Sequence, residues 1–201
     1  MAERTAPWEE PFERFREILD QAVATGMDDP DAMTVATVDA HGQPSSRVVL
    51  LKGFDEHGFV FYTNLESRKG REIRGNPKVS LSFFWRQLSR QVIVLGEAHP
   101  VTDAEADAYF ASRARGSQLG AWASLQSRPL PHRTHLLAEV AKLEGKYLGR
   151  PIPRPPHWSG WRVAPSWIEL WTAGAFRLHH RTVYQRIGAP ADGWRVSTLF
   201  P

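Results

Sequence analysis

The chain has 201 residues, 42% of them hydrophobic, and a formal net charge of +3. That length suits one sizeable core, and no apolar run is long enough to span a membrane. The absence of cysteine excludes disulfides, thiolate metal sites and a cysteine nucleophile, and is compatible with a reducing cytoplasm. Arginines stand as isolated residues, with no lysine-rich run, which suits small anions better than nucleic acid. The start, M-A-E-R-T-A-P-W-E-E, lacks the apolar core of a signal peptide.

Residues 11–24 predict an amphipathic helix, because Phe12, Phe15, Leu19 and Val23 recur at spacings of three and four; Gly26 stops it. A strand-rich block follows. Residues 33–38 and 45–54 flank the turn D-A-H-G-Q, and Phe54 and 59–62 flank D-E-H-G. Ser67 is the expected N-cap of a helix that ends at Gly75-Asn76-Pro77. Residues 78–86 and 90–98 form a further strand pair. Thr102 and Glu105 make a capping box that opens a helix through about Ser112. Residues 117–124 predict a short helix, with Gly116 breaking the one before it. Residues 132–147 predict another, with Leu136, Leu137, Val140 and Leu143 on one side. G-R-P-I-P-R-P-P-H is a stiff proline loop, and strands resume near 160–171, 176–186 and 194–199. Short strands with glycine turns predict an antiparallel barrel or sandwich, mainly β with helices, and no linker divides residues 1–201 into two domains.

Several clusters carry chemistry. In F-R-L-H-H-R-T-V-Y-Q-R, a strand would put Arg177, His179 and Arg181 on one face, a row that repels itself unless an anion or aromatic ring lies against it. A solvated strand face is the plain alternative. R-V-V-L-L-K spaces Arg47 and Lys52 by five, which sends them to opposite faces, and the four aliphatics between them predict burial on both. In Y-T-N-L-E-S-R-K-G, Arg68 and Lys69 occupy the first turn of a helix. Cations there oppose the helix dipole, so the placement makes sense with an anion bound at the free N–H groups. Tyr109 and Arg113 at i, i+4, with Ser117 opening the next helix, can converge on one phosphate. Gln91 and the pair Gln126-Ser127 suit the edge of a heterocycle, and Trp171 can stack on a ring. His132 and His135 lack a third ligand, so no metal site is expected.

These segments, together with A-M-T-V-A-T-V-D-A-H-G-Q-P, N-P-K-V-S-L-S-F-F-W, Y-F-A-S-R-A-R-G-S-Q-L-G-A-W-A-S-L-Q-S and I-E-L-W, resemble the pyridoxamine 5′-phosphate oxidase family from about residue 30 to the C-terminus. The resemblance implies an FMN-binding split β-barrel, a homodimer with FMN between subunits, and a cytoplasmic enzyme. The implied reaction oxidises pyridoxamine or pyridoxine 5′-phosphate to pyridoxal 5′-phosphate while molecular oxygen becomes hydrogen peroxide. By the resemblance, the FMN residues are Arg47, Lys52, Tyr62, Thr63, Arg68, Lys69, Gln91, Gln126, Ser127, Trp171 and Arg181. The substrate residues are Lys52, Tyr109, Arg113, Ser117, Arg177 and His179, and Arg177 and His179 place the reacting carbon. His180 departs from the family's common acidic residue, and S-T-L-F-P lacks the basic residue often found before the terminal L-x-P. A related FMN oxidase acting on a phenazine precursor, or a non-catalytic flavin- or pyridoxal-phosphate-binding protein, are the competing readings. The retained phosphate-type set argues against the first, and intact Arg177 and His179 against the second.

Overall fold

Alternating apolar positions build one ten-stranded sheet whose strands are drawn from both ends and the middle of the chain. In the computed structural model, which describes residues 3–201, strand β1 (Arg4–Ala6) precedes helix α1 (Glu10–Ala24), followed by β2 (Ala32–Val38), β3 (Pro44–Leu50), β4 (Gly53–Asp55) and β5 (Gly58–Asn64). Next come α2 (Arg68–Gly75), β6 (Lys78–Trp85), β7 (Arg90–Pro100), α3 (Asp103–Ser112), α4 (Arg115–Ala123) and α5 (Arg133–Lys146). The chain ends with β8 (Trp158–Thr172), β9 (His180–Arg186) and β10 (Trp194–Leu199). The strand order is β1-β10-β9-β8-β7-β6-β2-β3, with β5 joining β4 to β8. All pairings are antiparallel.

Strand β8 is the spine. Its first half pairs with β5, from Trp158↔Asn64 to Val163↔Phe59, and its second half with β9, from Trp167↔Gln185 to Thr172↔His180. Strand β7 lies along the opposite edge and slips register between Leu95 and Gly96. A side chain at Gly96 would put its Cβ 2.2 Å from the Ala164 carbonyl oxygen, so glycine permits this close approach. A bulge of this kind bends the paired strands and lets the sheet curl. The curl encloses an aromatic core in which Phe15 of α1 meets Phe59 and Phe83 at ring-centroid distances of 5.0 and 4.9 Å. Burying each such ring contributes about 1.5–3 kcal/mol, which fixes α1 and β5 on either side of one core.

The expected helix over 11–24, the Ser67 cap and the Thr102/Glu105 capping box are all present. Three expectations fail. Val48 and Leu50 are exposed, because β3 is a sheet edge with its outer face uncovered. Leu137 is exposed, since only Leu136, Val140 and Leu143 of α5 turn toward neighbours. The strand expected from 176 begins only at His180.

Candidate functional site

A cleft of about 470 Å³ opens between β3, β5 and the α3–α4 corner. Its polar lining brings together Lys52, Thr63, Lys69, Arg113, Ser117 and Gln126, with Tyr62 and Tyr109 beside them. The aromatic wall is layered. Tyr62 stacks on Tyr109 at 4.1 Å and lies nearly parallel to Trp158 at 5.4 Å. Gly160 sits opposite Tyr62 in the β5–β8 pair, and a Cβ there would fall 2.7 Å from the tyrosine ring. Glycine at that position therefore lets Tyr62 lie flat against the strand.

Arg113 lies with its guanidinium carbon 4.9 Å over the Trp158 ring. Its NH1 is buried without a hydrogen-bond partner, and burial lowers the pKa of the group. Arg113 lines the cleft, and burying a guanidinium with an unpartnered nitrogen is costly unless an anion binds the group. Lys69 makes a second such point. Its Nζ donates to Thr63 Oγ1 at 2.9 Å and to Gln126 Oε1 at 3.1 Å, both neutral oxygens. No carboxylate lies within ion-pair distance of it among the described residues. Burial, with nearby Arg47 adding repulsion, pushes its pKa down to about 8. Lys52 is exposed at the rim and held by Asp31 at 2.7 Å.

Behind Lys69, Glu72 gathers two guanidiniums. Its Oε1 accepts from Arg68 Nε at 2.7 Å, and its Oε2 accepts from Ser45 Oγ at 2.8 Å and from Arg47 NH2 at 3.4 Å. Thr37 Oγ1 also donates to Oε2. Burial pushes the carboxyl up, but the hydrogen bonds from Thr37, Arg68 and Ser45 outweigh it and hold the pKa at about 2. Arg68, in the first turn of α2, is thus balanced within its own helix, and Lys69 is not.

A second cluster lies on the other side of the sheet path. Gln91, Trp171 and Arg181 are neighbours across β7, β8 and β9. Glu169 holds Arg181 bidentately, at 2.6 and 3.0 Å, and His179 packs on Trp171 with ring centroids 4.7 Å apart. None of these residues lines the cleft described above.

The structure corrects several placements. Arg177, His179 and Arg181 do not share a strand face: only Arg181 lies in β9. Phe176 and Arg177 have φ of 55° and 67° in a 3-10 turn, which ends the extended alternation. The turn closes when the Gly174 amide donates to His179 Nδ1 at 3.2 Å, and a Cβ on Gly174 would meet the Leu178 carbonyl. Arg113 is not on a helix face with Tyr109, because it is the extended C-cap of α3; the two meet at the cleft through a shared neighbour, the Trp158 ring, 6.1 Å from the Tyr109 ring and 4.9 Å from the Arg113 guanidinium carbon. Ser117 does not open α4, which starts at Arg115 and contains Gly116. Gln126 and Ser127 lie beyond the end of α4, Ser127 at a φ of 69°. Gln126 reaches the cleft; Ser127 does not. Sequence reasoning missed Trp158, Glu72 and Glu169. Glu72 was detectable as the i+4 partner of Arg68, and Glu169 as an acid flanked by apolar strand residues; Trp158 had only its position between a proline loop and a strand.

A profile described as "Pyridoxamine 5'-phosphate oxidase" matches residues 19–147, and one described as "Pyridoxine 5'-phosphate oxidase C-terminal dimerisation region" matches residues 158–201. The chain belongs to the pyridoxamine 5′-phosphate oxidase family. A pyridoxine/pyridoxamine 5′-phosphate oxidase of Myxococcus xanthus is 58% identical over 192 residues, covering 96% of this chain and 92% of that protein. One from Caulobacter vibrioides is 56% identical over 195 residues, covering 96% of this chain and 86% of that protein. Among solved structures, PhzG from Burkholderia lata in complex with tetrahydrophenazine-1-carboxylic acid superposes with a TM-score of 0.89 at 34% identity, covering 95% of this chain and 92% of that one. A pyridoxamine 5′-phosphate oxidase-related, FMN binding protein of Nostoc punctiforme shares the fold, with a TM-score of 0.75 at 16% identity. Enzymes of the pyridoxamine 5′-phosphate oxidase family use FMN, and the split barrel found here is theirs. The cleft fits such a group: the uncompensated Lys69 ammonium, with the Gln126 amide beside it, suits its phosphate. The dimerisation region contains Trp171, Arg177, His179 and Arg181, the second cluster apart from Gln91.

Proposed function

We propose that this chain oxidises pyridoxine and pyridoxamine 5′-phosphates to pyridoxal 5′-phosphate as a homodimer, with FMN as cofactor and molecular oxygen as final acceptor. The observation that carries it is the pair of separate, uncompensated cations in one cleft: Arg113 with its buried, partnerless NH1, and Lys69 among neutral oxygens. Two phosphorylated molecules bound side by side would need two such points.

Bound FMN supplies the hydride acceptor, and oxygen leaves as hydrogen peroxide. Lys69, Thr63 and the adjacent Gln126 hold the cofactor's phosphate end, with Arg47 and Arg68 behind them and Tyr62 farther along the cleft; Ser127 joins this set by the family resemblance. Lys52, Tyr109, Arg113 and Ser117 hold the substrate phosphate. The second cluster, Gln91, Trp171 and Arg181 on the cofactor and Arg177 and His179 on the substrate, comes from the partner subunit, because on one chain it does not reach the cleft. Arg177 is planar and permanently charged, so it can cover the pyridine ring, while His179 donates or accepts a hydrogen bond near neutral pH. These residues orient two rings face to face and exclude water; no dedicated general base is required for hydride removal. With pyridoxamine phosphate, the imine produced takes up water and releases ammonia.

The 201 residues act as one unit, and a cytoplasmic setting belongs to the same reading; no helix of the described residues is long and apolar enough to cross a membrane. The PhzG likeness keeps a phenazine-type substrate in view, but such a substrate offers Arg113 no phosphate. The test is direct: load the protein with FMN and measure aldehyde formation under air from pyridoxine phosphate, pyridoxamine phosphate and the unphosphorylated vitamers. Turnover of the phosphates alone is expected; equal turnover without phosphate would overturn the assignment of the Arg113 cluster.

A further inference from the structure

Glu72 and Glu169 are the buried carboxylates among the described residues. Glu72 sits where a carboxylate is least expected, beside Arg47, Arg68 and Lys69, the cations assigned to an anionic phosphate. A negative charge there opposes the ligand unless it does something else. Its two oxygens take four donors: Arg68 Nε on Oε1, and Thr37, Ser45 and Arg47 on Oε2. Oε2 is fully occupied and Oε1 half so, and the donors they take are this chain's own.

The geometry tells what the charge does. Arg68 spends its inner Nε on Glu72, and its side chain remains half exposed. Arg47 is locked from several sides, because NH1 also donates to Thr37 Oγ1 and NH2 to Ser45 Oγ. Thr37, Ser45 and Glu72 therefore form one rigid acceptor plate joining β2, β3 and α2, with the two guanidiniums pinned to it.

We propose that Glu72 is a positioning residue that sets the guanidiniums of Arg47 and Arg68 for the cofactor phosphate. This rests on the assignment of those arginines and Lys69 to FMN. Glu72 also keeps the two guanidiniums from repelling one another before the phosphate arrives. It never touches the cofactor, so its effect must pass through the arginines and must be read on the phosphate end alone.

The test compares FMN with riboflavin, which lacks the phosphate, by flavin fluorescence titration at pH 7 on the full-length protein. Glu72→Gln keeps the shape. However the amide turns, its NH2 faces either Arg68 Nε or Arg47 NH2, so one guanidinium loses its contact with this side chain and both lose the charge. FMN affinity should fall about tenfold or more, with riboflavin affinity changed less than about twofold. Ser45→Ala, which removes one hydroxyl from the plate, should give a smaller loss confined to FMN, and decides the matter if Glu72→Gln does not fold. Tighter or unchanged FMN binding in both variants would mean that the carboxylate merely opposes the phosphate, and would overturn the proposal. Equal losses for FMN and riboflavin would mean plain structural support and overturn it too. Arg68→Ala separates the layers: no FMN loss there removes the cofactor assignment and this inference with it, whereas a loss there with none in Glu72→Gln overturns the inference alone.

Discussion

FMN affinity should fall as pH rises above 8, and Lys69→Met should abolish that dependence. Lys69 is buried against Thr63 and Gln126 with no carboxylate to offset its charge, and its pKa drops from the ordinary 10.5 to about 8. That difference disfavours the ammonium in the empty cleft by about 3 kcal/mol, an upper figure because solvent reaches the group through the cleft mouth. The sign follows. The unfolded chain keeps this proton up to 10.5 and the folded, cofactor-free chain only to about 8, so this group makes the empty protein more stable as pH climbs across that interval. A bound phosphate restores the charge, so binding takes up a proton above pH 8 and weakens as pH rises. If the phosphate returns the full proton affinity, the loss between pH 7 and 9.5 is roughly ten- to thirtyfold. Titration from pH 7 upward suits the measurement, since the phosphate has then shed its second proton. Lys69→Met should bind about tenfold to a hundredfold more weakly at pH 7, with a flat profile above it. Parallel curves for parent and variant would refute the assignment of Lys69 to the phosphate.

Arg113→Ala should raise KM for pyridoxine phosphate about tenfold to a hundredfold while leaving FMN affinity nearly unchanged, as steady-state kinetics and flavin titration would show. Trp158→Leu removes the ring beneath Arg113, a contact worth on the order of 0.5–2 kcal/mol, so KM should rise several-fold with kcat little altered. Gly160→Ala drives a Cβ to 2.7 Å from the Tyr62 ring, and should lower the thermal midpoint and weaken FMN binding together. Arg177→Ala/His179→Ala should keep FMN bound yet slow anaerobic flavin bleaching in a single turnover; bleaching at the parental rate would return both residues to the surface.

Much of the scaffold was legible because it rests on local chemistry. The 11–24 helix follows from apolar spacing, and the Ser67 cap and the Thr102/Glu105 box from side chains that satisfy their own helix starts. What escaped depends on tertiary placement. The 176–179 segment has the composition of a strand, yet two consecutive residues adopt positive φ in a turn closed by the Gly174–His179 contact. Exposure of Val48 and Leu50 follows from the edge position of β3, which no window of sequence encodes. The cations were found as residue types, but Glu72, the buried carboxylate that holds Arg47 and Arg68, and Trp158, the aromatic platform of Arg113, were not. Each is an ordinary residue until the fold sets it against an arginine.

The central claim is that each site joins the cleft of one subunit to the Trp171–Arg181 cluster of the other. Mixed dimers test it most directly. One subunit carries Arg113→Ala and the other Arg177→Ala/His179→Ala, and the two are refolded or co-expressed together and assayed for pyridoxal phosphate formation at substrate below the parental KM, where each variant alone is nearly inactive. In the mixed dimer both lesions fall in one site and the other site is intact, so random pairing should restore about a quarter of parental activity. No recovery from dimers shown to be mixed would place both halves of the site on a single chain and contradict the account.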